Sequence, residues 1–300
     1  MIGCTRKISI FSALFLLLTS TVYGGEAYPL LARASDPVLQ NNLEKSISTL
    51  GLEAAAKRGN LAVALVDVTD PEHPHFAAIN GDNMMYAASL PKIAILFGAF
   101  KRIEAGDMKL DKATREQLTQ MIRYSSNAAA TKMLNRVGKQ YLADLLQSPR
   151  YRLYDPKYNG GLWVGKAYDK QGAWKRDPLH NLSHGATAFQ VARLYYLLET
   201  GQLLPPKLSL EMKEILGHPG INHKFVRGLN TYRPGSEIYR KSGSWGEYHC
   251  DSALVERDGR RYIAVALAHN RKGGEWMKRL IVAMDDLVFH KTTHQVALLK

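Results

Sequence analysis

The chain has 300 residues, of which 46% are hydrophobic and 22% are charged. This length and composition are enough for a sizeable core in one large domain or two small ones, and they exclude an intrinsically disordered protein. The formal net charge is +13, but the lysines and arginines are scattered rather than clustered. That distribution argues against a nucleic-acid-binding protein and fits an enzyme that works near anionic cell-envelope polymers.

The first 24 residues have the pattern of a secretory signal peptide. Arg6 and Lys7 precede an apolar run over residues 8–18, and small residues follow before a plausible cleavage point. The apolar run is shorter than a membrane-spanning helix requires, so a short membrane anchor is the less favoured alternative. We therefore expect a secreted or periplasmic protein, with residues 1–24 removed and residues 25–300 forming one domain.

The predicted elements follow in chain order. Asp36 caps a helix predicted over residues 36–58, because apolar residues recur there at helical spacing. A helical pattern then dominates from Ser89 to about Thr200. The predicted strands cover residues 61–68, 75–79, 237–242, 251–256 and 261–268, the last two joined by an Asp-Gly turn, and a final helix covers residues 275–289.

This order of elements predicts an α/β (α+β) fold in two lobes. The N- and C-terminal strands would join in one antiparallel sheet flanked by the terminal helices, over about residues 25–85 and 220–300. An all-helical lobe, over about residues 86–219, would be inserted between them. The least regular stretch is residues 149–183, and a loop this long in a compact domain is often functional.

Cysteine usage excludes an intrachain disulfide in the mature chain, because Cys4 is lost with the signal and Cys250 then has no partner. We interpret Cys250 as a small buried strand residue rather than a catalytic thiol, since no Cys-His pattern surrounds it. Nothing in the sequence indicates a metal site or an organic cofactor, and we expect a monomer.

The first motif with chemical content is Ser89-Leu90-Pro91-Lys92, which opens a helical run. Residues three apart share a face of a helix, so the Lys92 amine is predicted beside the Ser89 hydroxyl. A serine hydroxyl becomes a good nucleophile only when a base takes its proton. Lys92 can be that base if desolvation or a nearby positive charge lowers its pKa.

Two further motifs follow along the chain. In Ser125-Ser126-Asn127, the Ser125 hydroxyl can pass a proton to a leaving nitrogen, and the Asn127 amide can orient Lys92 and hold a substrate amide. The third motif lies at a predicted strand end, where it supplies a positive charge and a hydroxyl for a substrate carboxylate. Its glycine leaves room for the substrate along the strand. A backbone N–H of this motif would form an oxyanion hole together with the N–H of Ser89. The residues of the third motif are Lys241, Ser242, Gly243 and Ser244.

Each motif alone occurs readily by chance, but their conjunction in this order and context is specific. With these motifs and their flanks, MMYAASLPKIAIL, REQLTQMIRYSSNAAATKML, ETGQLL and IYRKSGSWGE, the chain resembles the class A β-lactamases and the related penicillin-binding D,D-peptidases. The resemblance covers the whole mature chain and implies the two-lobed fold with the site between the lobes.

The resemblance also implies roles for individual residues. Ser89 would be the acylated serine, Lys92 its base, Ser125 the proton shuttle and Asn127 the contact to the substrate amide. Lys241, Ser242 and Ser244 would flank the bound substrate. Ser126 departs from the aspartate usual at its position, which is similar to a structural one.

A second departure concerns release of the acyl group. Class A β-lactamases use a glutamate on the loop between the second and third motifs, but residues 160–198 of this chain contain none. The nearest stand-in is Asp177, in an Asp-Pro-Leu-His-Asn run that resembles the family's Glu-Pro-x-x-Asn; a plain loop carboxylate is an equal interpretation. His180, His184 and Glu247 are the other candidate bases.

Three functions are consistent with a loop that lacks this glutamate. The first is a β-lactamase with a modified or weak deacylation base, hydrolysing β-lactams. The second is a D,D-carboxypeptidase or related amidohydrolase acting on peptidoglycan stem peptides, and the third is a binding or sensor domain that acylates and stops. A serine glutaminase shares parts of the constellation but is disfavoured by export. For the arginine that would hold a substrate carboxylate, Arg240 and Arg271 are the candidates.

Overall fold

The computed structural model describes Met1 and residues 28–289. Apart from Met1, the predicted signal peptide therefore lies outside the described residues. No helix within residues 28–289 is both long enough and apolar enough to span a membrane.

Ten helices and ten strands make up the described part of the chain. The helices are α1 (Pro37–Thr49), α2 (Glu53–Lys57), α3 (Lys92–Glu104), α4 (Lys112–Arg123), α5 (Asn127–Val137), α6 (Lys139–Gln147), α7 (Ala188–Glu199), α8 (Pro206–Leu216), α9 (Lys224–Tyr232) and α10 (Gly273–Phe289). The strands are β1 (Leu61–Asp67), β2 (His75–Ile79), β3 (Met85–Tyr86), β4 (Tyr154–Asp155), β5 (Gly160–Gly161), β6 (Trp163–Val164), β7 (His184–Ala186), β8 (Glu237–Trp245), β9 (Tyr248–Arg257) and β10 (Arg260–His269).

The main sheet has five antiparallel strands in the order β2-β1-β10-β9-β8. The prediction that N- and C-terminal strands join in one antiparallel sheet is therefore confirmed. Asp258 and Gly259 form the two-residue turn between β9 and β10, and both have positive φ, 47° and 74°, as this tight turn requires. Strand β8 lies at an edge of the sheet, so one side of it is open to a ligand.

Both faces of this sheet are buried, which explains the continuous apolar run of β1. Alternate residues of a strand point to opposite faces. Leu61, Val63 and Leu65 pack into a core with α1, α9 and α10, whereas the residues between them join a larger core with α3 and α7. The terminal helices thus cover one face, and the helical lobe covers the other.

The helical segments differ from the predictions in two places. The helix predicted over residues 36–58 breaks after Thr49, where Gly51 adopts a left-handed φ of 70°. Helix α7, predicted in the helical lobe, packs against β1 and β10. Ten of its twelve residues are buried, as a helix enclosed between a sheet and other helices requires.

Candidate active site

Ser89 lies in the turn that joins β3 to α3. The turn is closed by a hydrogen bond from Leu90 N to Ala87 O of 2.9 Å, and Ala88 within it has a φ of 48°, rare for a residue other than glycine. Lys92 is the first residue of α3, and its N–H donates to Ser89 O at 3.3 Å. The hydroxyl of Ser89 therefore stands at a helix N-terminus, where developing negative charge is favoured.

Lys92 has no exposed surface, and its amine is held by neutral acceptors. Its Nζ donates to Ser125 O at 2.6 Å and to Asn127 Oδ1 at 2.7 Å. Burial lowers the pKa of Lys92 to about 7, because the charged form loses its hydration. A neutral amine has two N–H donors, and the two short bonds use both, so its lone pair is left to accept a proton.

The second motif, residues 125–127, lies at the junction of α4 and α5, and each of its three residues has different contacts. Ser125 has a φ of 58°, a strained conformation that presents both its carbonyl and its hydroxyl to Lys92. Ser126 is the N-cap of α5, and its Oγ accepts from Ala129 N at 3.2 Å. An aspartate would cap equally well, so the departure at Ser126 keeps a helix-capping residue.

Lys241 meets this junction from the other lobe. Its Nζ, also buried, donates to Ser125 Oγ at 3.0 Å and to Ser242 O at 2.6 Å. The Ser125 hydroxyl thus lies between two amines, with Lys92 Nζ at 3.4 Å on its other side. Burial, followed by the positive charges of Lys92 and Arg240, lowers the pKa of Lys241. A hydroxyl placed between two amines can accept a proton from one side and donate its own.

At Gly243, the edge strand β8 comes close to the turn that carries Ser89. A Cβ atom on Gly243 would lie 2.3 Å from Ala87 O and 2.8 Å from Ser89 N, closer than real contacts allow. Only glycine lets the two backbones approach in this way. Ser89 and Ser244, whose N–H groups are the predicted oxyanion donors, consequently line one cleft.

That cleft has a volume of about 470 Å³ and is walled by both lobes. Ser89 and Asn127 lie on one wall, Ser244 and the exposed Trp245 on another. The irregular loop over residues 165–183 and the start of β7 close the remaining side, so this part of the predicted long loop lies in the same cleft as Ser89. This side presents Lys166, Tyr168, Asp169, Lys170 and His184.

Comparison with known proteins identifies the family of the chain. The sequence pattern of the beta-lactamase enzyme family matches residues 42–115 and 113–288. The chain belongs to this family. The resemblance drawn from the motifs is confirmed, and the protein is a serine beta-lactamase-like enzyme of the hydrolase class. No curated protein sequence matches the chain.

Solved structures share its fold at low sequence identity. PBP-A is 18% identical, with a TM-score of 0.63 over 86% of this chain and 97% of that one. A beta-lactamase from Sphaerobacter thermophilus is 16% identical, with a TM-score of 0.65 over 83% and 97% of the two chains. One from Chitinophaga pinensis is 14% identical, with a TM-score of 0.66 over 83% and 99%. The predicted α/β fold with its helical lobe is therefore confirmed.

In this beta-lactamase-family protein, Asp177 does not line the cleft that holds Ser89. Its buried carboxylate accepts from Tyr154 OH at 2.9 Å and from the backbone N–H groups of Leu179, His180 and Leu182 at 3.2, 2.9 and 2.5 Å. These hydrogen bonds hold the Asp177 carboxylate against neighbouring residues of its own loop. The candidate base suggested by the Asp-Pro-Leu-His-Asn run is therefore not among the residues that line the cleft with Ser89. In this position the Asp177 carboxylate stabilises the fold of the loop.

The other candidate bases divide between the cleft and the surface. His184 lines the cleft, but burial lowers its pKa to about 4, so its imidazole is neutral near pH 7. Its Nε2 lies 3.1 Å from Lys166 O. His180 is exposed and its Nε2 lies 3.0 Å from Asn159 Oδ1. Glu247 pairs with Arg271 at 2.6 Å at the tip of the β8–β9 hairpin, outside the cleft lining.

Neither candidate arginine is available to a substrate carboxylate in the cleft. Arg240 is buried in a two-bond pair with Asp251, at 2.7 and 2.8 Å, and Arg271 is an exposed partner of Glu247. A buried lysine that the sequence analysis missed lies closer. Lys224 Nζ donates to Gly243 O at 2.5 Å and to Ser244 Oγ at 2.8 Å.

Lys224 had no motif to reveal it, because its position depends on how α9 packs against β8 and β9. It is the first residue of α9 and has a left-handed φ of 52°. Burial lowers the pKa of Lys224 to about 8. The neighbouring His223 places Nε2 3.3 Å from Ser242 Oγ. Cys250, in contrast, is buried in β9 as predicted, and burial raises the pKa of its thiol to about 12.

Proposed function

We propose that this enzyme is an exported serine hydrolase that forms an acyl-enzyme on Ser89 with β-lactams. The observation that carries the proposal is the environment of the buried Lys92. Neutral acceptors hold its amine, and burial lowers the pKa of this amine to about 7. A lysine in that state is partly unprotonated at neutral pH and can take the proton of Ser89. The signal pattern over residues 1–24 supports export.

The proposed acylation step balances as follows. Ser89 Oγ attacks the lactam carbonyl carbon, and its proton moves to Lys92 Nζ. The N–H groups of Ser89 and Ser244 stabilise the oxyanion that forms. The C–N bond then breaks, and the leaving nitrogen takes a proton from the Ser125 hydroxyl, which is replenished from the adjacent amines. The product is an ester on Ser89 and a free amine on the opened ring.

The substrate carboxylate would lie at the end of β8 that carries Lys241 and Ser242. Lys224 is positioned to add charge there, since its Nζ already reaches the Ser244 hydroxyl at 2.8 Å. An anion in this position would favour the charged forms of both lysines, whose pKa values burial otherwise lowers. Substrate binding and lysine protonation are therefore coupled in this proposal.

Release of the acyl group is the slow step in this proposal. Among the cleft residues described above, the acidic side chain is Asp169, which is exposed and accepts a hydrogen bond from Gln171 N at 2.9 Å. A base that activates water must be held within reach of the ester, and Asp177 is turned away. This observation favours a second candidate function, a D,D-peptidase that β-lactams trap. A PBP-A variant was solved as an acyl-enzyme complex with penicillin G.

Intact-mass spectrometry over time with penicillin G tests the proposal. Addition of one penicillin mass is expected for the wild-type enzyme and for the control Ser183→Ala, whose side chain lies in the same cleft. Ser89→Ala should gain no mass, and labelling of that variant would refute the nucleophile.

The decay of the adduct separates the candidate functions. A steady turnover of nitrocefin supports a β-lactamase, whereas a stable adduct together with D-alanine release from a stem peptide supports a D,D-peptidase. Export is tested by N-terminal sequencing of protein recovered from the periplasm or the medium. A retained residue 1 would contradict the predicted signal cleavage.

A further inference from the structure

Tyr168 touches both parts of the acylating machinery from the irregular loop. Lys92 Nζ lies 4.5 Å from the centroid of its ring, over the ring face. Its hydroxyl donates to Ala88 O at 3.3 Å, so it also holds the strained turn that carries Ser89. The ring also packs against His184, with centroids 4.4 Å apart. Burial raises the pKa of the phenol, so Tyr168 remains a neutral donor.

These contacts answer an electrostatic difficulty of the proposed reaction. When Lys92 takes the proton of Ser89, a positive charge forms at a site with no exposed surface. Burial lowers the pKa of Lys92, and no carboxylate among the described residues offsets this effect. Creating an unpaired charge in such a place is costly unless dipoles or a π face compensate.

The titratable groups that face Lys92 do not supply that compensation. Lys241 approaches from β8 through Ser125 and shares its sign of charge. His184, on β7, is neutral near pH 7 because burial lowers its pKa to about 4. Ser125, just before α5, and Asn127, its first residue, offer neutral oxygens whose dipoles compensate the charge only in part. The ring of Tyr168 adds a further favourable electrostatic field, because Lys92 Nζ lies over its face.

We propose that Tyr168 is a positioning residue for acylation, its ring face stabilising the ammonium that Lys92 becomes while its hydroxyl holds the Ser89 turn. The negative face of an aromatic ring attracts a cation within about 6 Å of its centroid, and most strongly when the pair is desolvated. The contact is therefore stronger after proton transfer than before it. This inference rests on the proposed role of Lys92 as the base.

The direct test is the titration of Lys92 in the unliganded enzyme, followed by carbon-13 NMR of its side chain and assigned with Lys92→Arg. Tyr168→Phe keeps the ring and should leave the pKa of Lys92 within about 0.3 of the wild-type value. Tyr168→Leu keeps a buried apolar group without the π face. It should lower the pKa of Lys92 by roughly 0.5 to 1, the size expected of one partly desolvated cation–π contact.

The same variants should separate in acylation. Tyr168→Leu is expected to acylate roughly three- to tenfold more slowly than Tyr168→Phe at a pH where Lys92 is unprotonated, because the charge that forms has lost its partner. Its pH–rate curve should move with the measured titration of Lys92. A Tyr168→Leu enzyme with an unchanged Lys92 titration and an unchanged curve would overturn the proposal.

A graded series covers the case in which Tyr168→Leu does not fold. Phenylalanine analogues with increasing ring fluorination, placed at residue 168, weaken the π face at nearly constant shape. The pKa of Lys92 should fall with each fluorine, and a flat series would refute the contact. Because the titration needs no substrate, its failure is distinguishable from a failure of the proposed function, which would appear as absent labelling of the wild-type enzyme by penicillin G.

Discussion

Gly243→Ala should push strand β8 away from the turn that carries Ser89. The new Cβ would lie 2.3 Å from Ala87 O, and 2.8 Å from both Ser89 N and Leu90 N. All three are backbone atoms, so no side chain can rotate away. Relief to an ordinary contact near 3.4 Å needs a displacement of about 1 Å, and a misplacement of that size costs on the order of 10²-fold in rate. Overpacking of this kind also costs about 1–3 kcal/mol of stability.

Acylation by penicillin G under stopped-flow or intact-mass detection measures the effect, and thermal unfolding checks that the variant is folded. Gly172→Ala is the matched control, because a Cβ on Gly172 has no atom within 4 Å and Gly172 does not have a positive φ. We expect Gly172→Ala to acylate at the wild-type rate. If Gly243→Ala also acylates at that rate while folded, the close approach of β8 to the Ser89 turn is not what positions the oxyanion donors.

Three further predictions concern the base, the loop and the buried ion pair. Acylation should rise as pH increases through about 7, since burial lowers the pKa of Lys92 to about 7 and only its unprotonated form accepts a proton; a pH–rate profile that is flat across that value would contradict this. Asp177→Asn should lose roughly 1–3 kcal/mol in urea unfolding, because an amide NH₂ would face backbone N–H donors. A selectively trapped acyl-enzyme at unchanged stability would instead make Asp177 the deacylation base. Arg240→Met should cost about 3–5 kcal/mol by leaving the Asp251 carboxylate buried without its partner, whereas Arg271→Met, at an exposed pair, should barely move the urea midpoint; equal effects would refute the burial argument.

The placement of Lys92 one turn after Ser89 could be predicted from the sequence because it depends on local geometry. Ser89 lies three residues before Lys92, the first residue of α3, and the Lys92 N–H bond to Ser89 O closes the turn between them. The same reasoning holds for the Asp258-Gly259 turn, whose two positive φ angles follow from residue type. The alternation of β1 side chains between the two faces of the sheet likewise follows from the period of a strand.

Tertiary packing decided which other residues surround Ser89 and Lys92. Lys241 reaches Ser125 across 116 residues of sequence, and the motif order suggested this meeting only through resemblance to a family. Local sequence pointed to Asp177 as a base, but hydrogen bonds within its loop turn it away from the cleft. Tyr168 and Lys224 carry no motif, and they matter because the loop and α9 pack them against Lys92 and β8. Contacts between remote segments depend on the relative placement of whole elements, which no short-range pattern encodes.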